Sequence, residues 1–542
     1  MDRLTVSFHA ADGGTFPLTW GQQHIWKPLR WYGPASSYFT IPAVIDLPDG
    51  GAGLTRATVA RALRRLVERN QSLRTRFRGG DGGFRQHIAP AGTLTVPLHQ
   101  ATPDGSRAAA GHAAGELAAA PFDHASEWPL RAALICAGNT PRQLAVAVSH
   151  TATDGAGMQA LIGEFLALLA VPPGGPLPPR RWQPVSQVKH ERSRRGARRH
   201  QGAAAYWRKH LAQAPPSMFD FPAARPAQPR FRRLRLESPA LARAVTRLAV
   251  RCDVSRSTVL LTGAGLALAT LSGHSTAVLK LVVSNRFEER TRDAIASVTQ
   301  DGLLVAGYDG GSVTDAVRAT SKAARAGYYY GAYDPAALDT LIAGAAAERG
   351  VHFDLTAYFN DLTDFMEPGP ADGEPDAADT SPRTVRGLLA RTVVEPEGAW
   401  ETQDSKFFFA TECDASLCRL HLLGDTAYLP VPVLETVLRG VETMLVEAAY
   451  RDVRLDTIPA LTGITPVRRG PGWRHGPDGW VDLTRGMAAR SAAERDRAER
   501  DGAARSGLRA GGESRRADHR DHRVAAGGRM IGQEEHQATV RQ

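Results

Sequence analysis

The chain has 542 residues, 43% of them hydrophobic and 23% charged, a length that argues for two or three domains and a composition ordinary for a globular protein. The opening MDRLTVSFHAADGG lacks the charged-then-apolar pattern of a signal peptide, and the longest apolar stretch, 258–271, is broken by Thr262, Gly263 and Gly265, so it reads as a buried helix and no membrane span is expected. A net charge of +10 invites a nucleic-acid partner, but the basic surplus sits in 180–209 and past Arg485 with only Trp182, Tyr206 and Trp207 interleaved, which fits a solvated linker or helix face and sets nucleic acid aside.

The first predicted element is a helix over 16–32, where Trp20, Ile25, Trp26, Leu29 and Tyr32 leave one apolar face. Residues 38–47 predict a strand, placed at an edge or bulge by Pro42. A helix follows over 54–70 (Val59, Leu63, Leu66, Val67), then a strand from SLRTRF at 72–77 and a short extended run at 94–98. PFDHASEWPLRAALI (121–135) predicts a loop anchored by Phe122 and leading into a strand. Residues 144–148, LAVAV, predict a buried strand, and Met158, Leu161, Ile162, Phe165, Leu166 and Leu169 an amphipathic helix after it. VPPGGPLPP (171–179) is a break.

Beyond it the pattern predicts helices near 203–212, 241–251, 257–271, 313–330 and 431–450. Strands are expected near 230–236, 277–284, 353–359 and, as a pair across ECDA, 406–411 and 416–423. The acidic, Pro/Gly-rich stretch 368–382 reads as an exposed loop, and the Arg/Ala/Gly/Asp-rich end after about Arg468 is too polar to bury a core. Strands and helices alternate, which predicts a mixed α/β fold.

Between the buried strand and its helix lies SHTATDG (149–155). His150 sits at a strand mouth in a short polar loop, where a scaffold can hold a reactive group rigidly and expose it. Taken alone it is as readily an ordinary loop histidine. No other motif competes: the sequence contains no Gly-Lys dipeptide, GxGxxG, GxSxG or HExxH. The cysteines, Cys136, Cys252, Cys413 and Cys418, have neither disulfide-framework nor metal-ligand spacing, so packing, no metal and a reducing cytoplasm are expected.

SHTATDG resembles the HHxxxDG motif of nonribosomal peptide synthetase condensation domains and, more broadly, the HxxxDG motif of the chloramphenicol acetyltransferase-like superfamily. FPLTWGQQHIW resembles the family's opening helix, LVERNQSLRTRF its helix-to-strand element, PFDHASEWPLRAAL its PFdl…plRa.l element, AAAYWRKHLAQAP its yW…L…p helix, and VSNR (283–286) its sgR strand end. Their order and spacing match over about residues 15–465.

The resemblance implies an α/β fold of two chloramphenicol acetyltransferase-like lobes in a V-shaped pseudo-dimer with an inter-lobe tunnel. It divides the chain into a first lobe over 1–175, a basic Pro/Arg-rich linker over 176–205, a second lobe over 206–467 and a disordered tail over 468–542. His150 matches the second, catalytic histidine, accepting a proton from an amine or hydroxyl or positioning it, with an imidazole near its unperturbed pKa. Asp154 pairs with an arginine of the other lobe, for which Arg286 is the matching position, and Gly155 permits a left-handed or tight backbone with its NH facing the site. The activity implied is acyl transfer from a thioester on the phosphopantetheine arm of a carrier protein to an amine or alcohol, with no cofactor of the domain's own.

Two departures stand out. Ser149 replaces the family's first histidine, and nothing like the latch motif DFGWG occurs between 385 and 409. With no recognisable adenylation or carrier segment, the sequence reads as a stand-alone, monomeric member. A CoA-dependent acyltransferase of the same fold and, because of Ser149, a non-catalytic recruitment module are the alternatives.

Overall fold

The computed structural model describes residues 2–48, 54–79, 83–363, 381–476 and 479–483. Residues Met1–Val481 form one compact unit. The disordered tail expected beyond residue 483 and the loop expected over 368–380 lie outside the described residues.

The first lobe holds the strands β1 (Arg3–His9), β2 (Gly14–Pro17), β3 (Thr40–Asp46), β4 (Thr75–Arg78), β5 (Arg85–Ile88), β6 (Ala91–Gln100), β7 (Leu130–Ala137) and β8 (Thr140–Ser149). Five form a sheet in the order β1-β6-β7-β8-β3, and β2-β5-β4 form a small second sheet. β3 is an edge strand, the place where Pro42 does least harm to the ladder. β8 is buried along most of its length, as its continuous apolar run requires.

One face of the large sheet is covered by helices Arg56–Arg69 and Gly155–Ala170, which contribute Val59, Leu63, Leu66, Met158, Leu161 and Phe165 to a common core. The other face carries helix Ser106–Ala119, packing Ala110, Ala113 and Ala114 on Ala133, Ile135 and Ala145. That helix was not predicted, because its buried side chains are alanines and give no large-residue stripe.

The second lobe contributes β9 (Phe231–Ser238), β10 (Thr276–Val283), β11 (Gln300–Gly307), β12 (Ala357–Asp361), β13 (Val393–Trp400), β14 (Phe407–Cys413) and β15 (Cys418–Asp425). They form one seven-stranded sheet, β11-β10-β12-β14-β15-β9-β13. Helices Pro239–Cys252, Arg256–Ser272, Val313–Tyr329 and Val431–Ala448 pack on it in a single large core. Helix Arg256–Ser272 is apolar on nearly all sides because it is enclosed on nearly all sides. No single helix among the described residues is long and apolar enough to cross a membrane. Cys413 and Cys418 face each other across the β14–β15 hairpin as buried free thiols.

Two boundaries differ from expectation. Much of the stretch read as linker is helical: Pro184–Glu191, then Arg194–Leu211, capped by the Ser193 hydroxyl. The helix presents its arginines to solvent while Ala203, Tyr206, Trp207 and Leu211 are buried. The chain also stays structured past Arg468. Arg469 reaches Asp220 Oδ1 and the Ser272 carbonyl, each at 2.6 Å, and a short hairpin follows, Trp473–Gly476 with Gly479–Asp482. This anchorage of a single arginine is invisible to composition.

Candidate active site

β8 ends at Ser149, whose amide donates to the Pro129 carbonyl (2.9 Å), and the next amide, His150, donates to the Phe39 carbonyl (3.0 Å). The loop therefore leaves the sheet with its backbone fixed from both sides. It ends where Asp154, in extended conformation, caps helix Gly155–Ala170 by accepting from the Gly157 amide (2.9 Å).

The same carboxylate ties the two lobes together. Oδ1 also accepts from Arg286 Nη2 (2.6 Å), while Oδ2 accepts from the Val298 amide (3.0 Å) and the Thr299 hydroxyl (3.1 Å). Four donors occupy its two oxygens, so Asp154 has no lone pair to spare for proton transfer. Arg286 is equally committed. Its guanidinium donates to the carbonyls of Thr291, Arg292, Ala294 and Ala296 besides Asp154, stapling the 291–298 segment against the first lobe. Asn285, at φ 54°, turns the chain so that Arg286 can reach back, and its side-chain amide holds the Val298 and Gly331 carbonyls.

Two glycines permit this approach. A Cβ on Gly157 would collide with Thr153 Oγ1 and stand 3.0 Å from Arg286 Nη2, and one on Gly21 would collide with the Ser297 carbonyl. Gly155 plays another part than expected. It has no positive φ and is the first residue of the helix, because the extended Asp154 cap already makes the turn.

His150 keeps some accessible surface, yet it is packed deeply enough that burial lowers its pKa from the ordinary histidine value, with Asp154 opposing and His24 adding to the shift. The expectation of an unperturbed imidazole is corrected accordingly. The His150 Nδ1 is buried with no hydrogen-bond partner, and its Nε2 has none among the described residues. The backbone group that acts on the ring electrostatically is its own.

A condensation domain matches residues 13–299, more than half of the chain and including the whole His150 loop and the strapped segment. The chain belongs to the condensation-domain family. Phosphinothricin tripeptide synthetase PhsC of Streptomyces viridochromogenes is 31% identical over 296 residues, 52% of this chain but 27% of that protein, so the chain spans about a quarter of the relative it matches. Among solved structures, the condensation domain of the Monacolin K polyketide synthase MokA superposes with a TM-score of 0.61 at 14% identity, covering 81% of this chain and 99% of that one. The X-domain in complex with OxyB from teicoplanin biosynthesis gives 0.58 at 17% identity, covering 84% and 98%. These likenesses establish the two-lobed, V-shaped acetyltransferase-like fold.

Within this condensation domain, Ser149 is not an empty substitution. Its hydroxyl lies 2.8 Å from His124 Nε2 and 2.9 Å from the Thr151 hydroxyl. His124 comes from the PFDHASEWPL loop and packs among Trp26, Phe77 and Phe122. Burial pushes its pKa down to about 4, so it is a neutral hydrogen-bonding ring at ordinary pH. The segment left open by the missing DFGWG motif bridges the lobes by other means: Tyr32 OH contacts Gln403 Oε1 (2.8 Å) and Asp404 Oδ1 (3.2 Å), and Tyr38 meets Trp400 edge-on at 6.2 Å.

Sequence reading also missed a polar cluster beside His150. His24 Nε2 stands 3.4 Å from Asp301 Oδ1, whose other oxygen is 3.3 Å from Lys280 Nζ, which in turn donates to Tyr358 OH (3.0 Å). Burial pushes the Asp301 carboxyl up, but His24 and Lys280 outweigh it and hold it at about 2. One signal was present: Lys280 is the lone charge in the apolar strand AVLKLVVS.

Proposed function

We propose that this domain joins an acyl or aminoacyl thioester, presented on the phosphopantetheine arm of a separate carrier protein, to an amine or hydroxyl acceptor. The observation that carries the reading is the state of His150: an imidazole kept neutral by burial, with Nε2 free of protein partners among the described residues, on a loop clamped at both ends.

The chemistry then follows. The acceptor nitrogen or oxygen attacks the thioester carbon while its proton passes to His150 Nε2. The carbonyl π pair becomes an oxyanion. Collapse re-forms the carbonyl, breaks the C–S bond and releases the thiolate, which recovers the proton from the imidazolium. Asp154 and Arg286 position the loop and take no part in proton transfer. The domain needs no cofactor of its own, works as a monomer, and suits a reducing cytoplasm with its four unpaired cysteines.

The test is turnover with a matched acyl-carrier substrate. His150→Ala should lower kcat by about 10²–10⁴-fold, the usual share of a general base, with carrier binding retained. Wild type and variant equally inert while carrier binding persists would support instead a recruitment module. That second reading is favoured by Ser149 and by the likeness to an X-domain solved in complex with OxyB. Equal turnover with CoA and carrier thioesters would shift the donor to a CoA ester.

A further inference from the structure

The residues around His150 close into a ring. His150 and His24 are electrostatically coupled, and His24 faces Asp301, which faces Lys280. Lys280 and Asp301 act in turn on Asp404, which touches Tyr32. Tyr32 packs edge-on against Phe39, whose carbonyl holds the His150 amide. Both lobes contribute, and several members keep accessible surface in spite of being embedded: the side chains of His24 and Lys280 are 27% and 21% exposed.

The charges of the ring do not balance. Lys280 is matched by Asp301, which leaves Asp404 without a cation: among the described residues no lysine, arginine or histidine forms an ion pair with it. Nor is it well served by hydrogen bonds. The Tyr32 hydroxyl has one proton, and its shorter contact is to Gln403 Oε1 (2.8 Å) and not to Asp404 Oδ1 (3.2 Å). Asp404 Oδ2 has no partner among the described residues, and Gln403 Nε2 beside it is buried without one. Asp404 is itself exposed, so a ligand can reach it, and partial desolvation by the groups around it still pushes its carboxyl above the usual carboxylate range. The wall next to it is aromatic: Tyr32 stacks on Tyr38 (5.9 Å, 4° between planes) and Trp400 closes on Tyr38. Arg233, which lies over the Trp400 ring at 5.1 Å, is held by Glu397 at 2.8 Å. A carboxylate lacking a counter-ion beside electron-rich ring faces is a receptor for an organic cation.

We propose that Asp404, with the Tyr32–Tyr38 wall, anchors a guanidinium or ammonium group on the substrate processed at His150. The inference rests on the proposed function only in calling the ligand a substrate; the site itself stands on the geometry of the ring.

The test uses the full chain and an isosteric pair, n-butylguanidinium and the neutral n-butylurea, titrated calorimetrically. Wild type should bind the cation at least about tenfold more tightly, the worth of a single charge-assisted contact. Asp404→Asn, which keeps size and the Tyr32 contact, should bring the two within about twofold, and a thermal melt should show it folded. His150→Ala should keep the full preference, so a failed condensation reading leaves this result standing. Equal binding of the two probes by wild type, or a preference that persists in Asp404→Asn, overturns the proposal. In turnover, competition by n-butylguanidinium against the free acceptor assigns the cation to the acceptor, and competition against the loaded carrier assigns it to the donor. Competition with neither overturns the claim that the site serves the reaction.

Discussion

His124 Nε2 and Ser149 Oγ lie 2.8 Å apart, joining the loop after residue 121 to the last residue of the strand that delivers His150. A side chain distant in sequence thus occupies the polar environment at the strand end, and its ring is neutral because burial holds its pKa at about 4.

The sign of the resulting pH dependence is fixed. The unfolded chain binds this proton below about pH 6.5, the folded chain only below about 4, so stability is lost as pH falls between those values and the loss then levels off. The full amplitude is about 3 kcal/mol. Denaturant midpoints at pH 7 and pH 4 should show this loss in wild type and a smaller one in His124→Leu. An identical loss in both proteins would assign it to other groups.

The Asp154–Arg286 pair should behave as one unit. Removing either partner strands a buried charge, at a cost of roughly 3–5 kcal/mol. Asp154→Ala and Arg286→Ala should each lower the unfolding midpoint, and the double variant should fall well short of their sum, with a coupling of about 1–3 kcal/mol. Additive losses would mean that the two charges act independently.

Gly157→Ala tests the same junction sterically. The added methyl meets Thr153 Oγ1 and Arg286 Nη2, so helix propensity, which favours alanine by about 1 kcal/mol, should be overruled. A destabilised protein is expected in thermal melts; a stabilised one would show that the junction yields.

For His150, burial favours the neutral ring, so the acid limb of kcat/KM should fall below the ordinary histidine value near 6.5. A limb at or above 6.5 would place another group in control. Glu191 gives the opposite slope. Burial pushes its carboxyl up to about 8 while it accepts from the Trp20 amide and the Gln187 side chain. The folded chain holds the proton more tightly than the unfolded one, so stability is present below about 4.5 and declines as pH rises towards 8. Glu191→Gln should flatten that decline in pH-dependent melts.

These residues show what a sequence discloses and what it withholds. The β8 strand and the helix after it were legible because LAVAV and the 158–169 stripe carry their periodicities locally, and His150 and Asp154 were legible because one heptamer holds both. Arg286 was legible only through resemblance, since nothing in VSNR states that its guanidinium spans to residue 154. His24, His124, Asp301 and Asp404 were not legible as site groups. Each lies in a separate element, and only the folded chain sets His124 against Ser149 or Tyr32 against Asp404. Helix Ser106–Ala119 was hidden for a plainer reason: alanine packs in a core and equally lies on a surface.

The strapped segment has a consequence for where this chain can be divided. Ile295 is numbered with the second lobe but buried in the core of the first, and the Ser72 hydroxyl holds its carbonyl at 2.7 Å. The chain's order and its packing therefore disagree about ownership of the 291–298 stretch. A chimera that exchanges lobes at the sequence break near 171–179 would give the first lobe a foreign wall, whereas a junction placed after residue 299 would carry the native wall along with the histidine it supports.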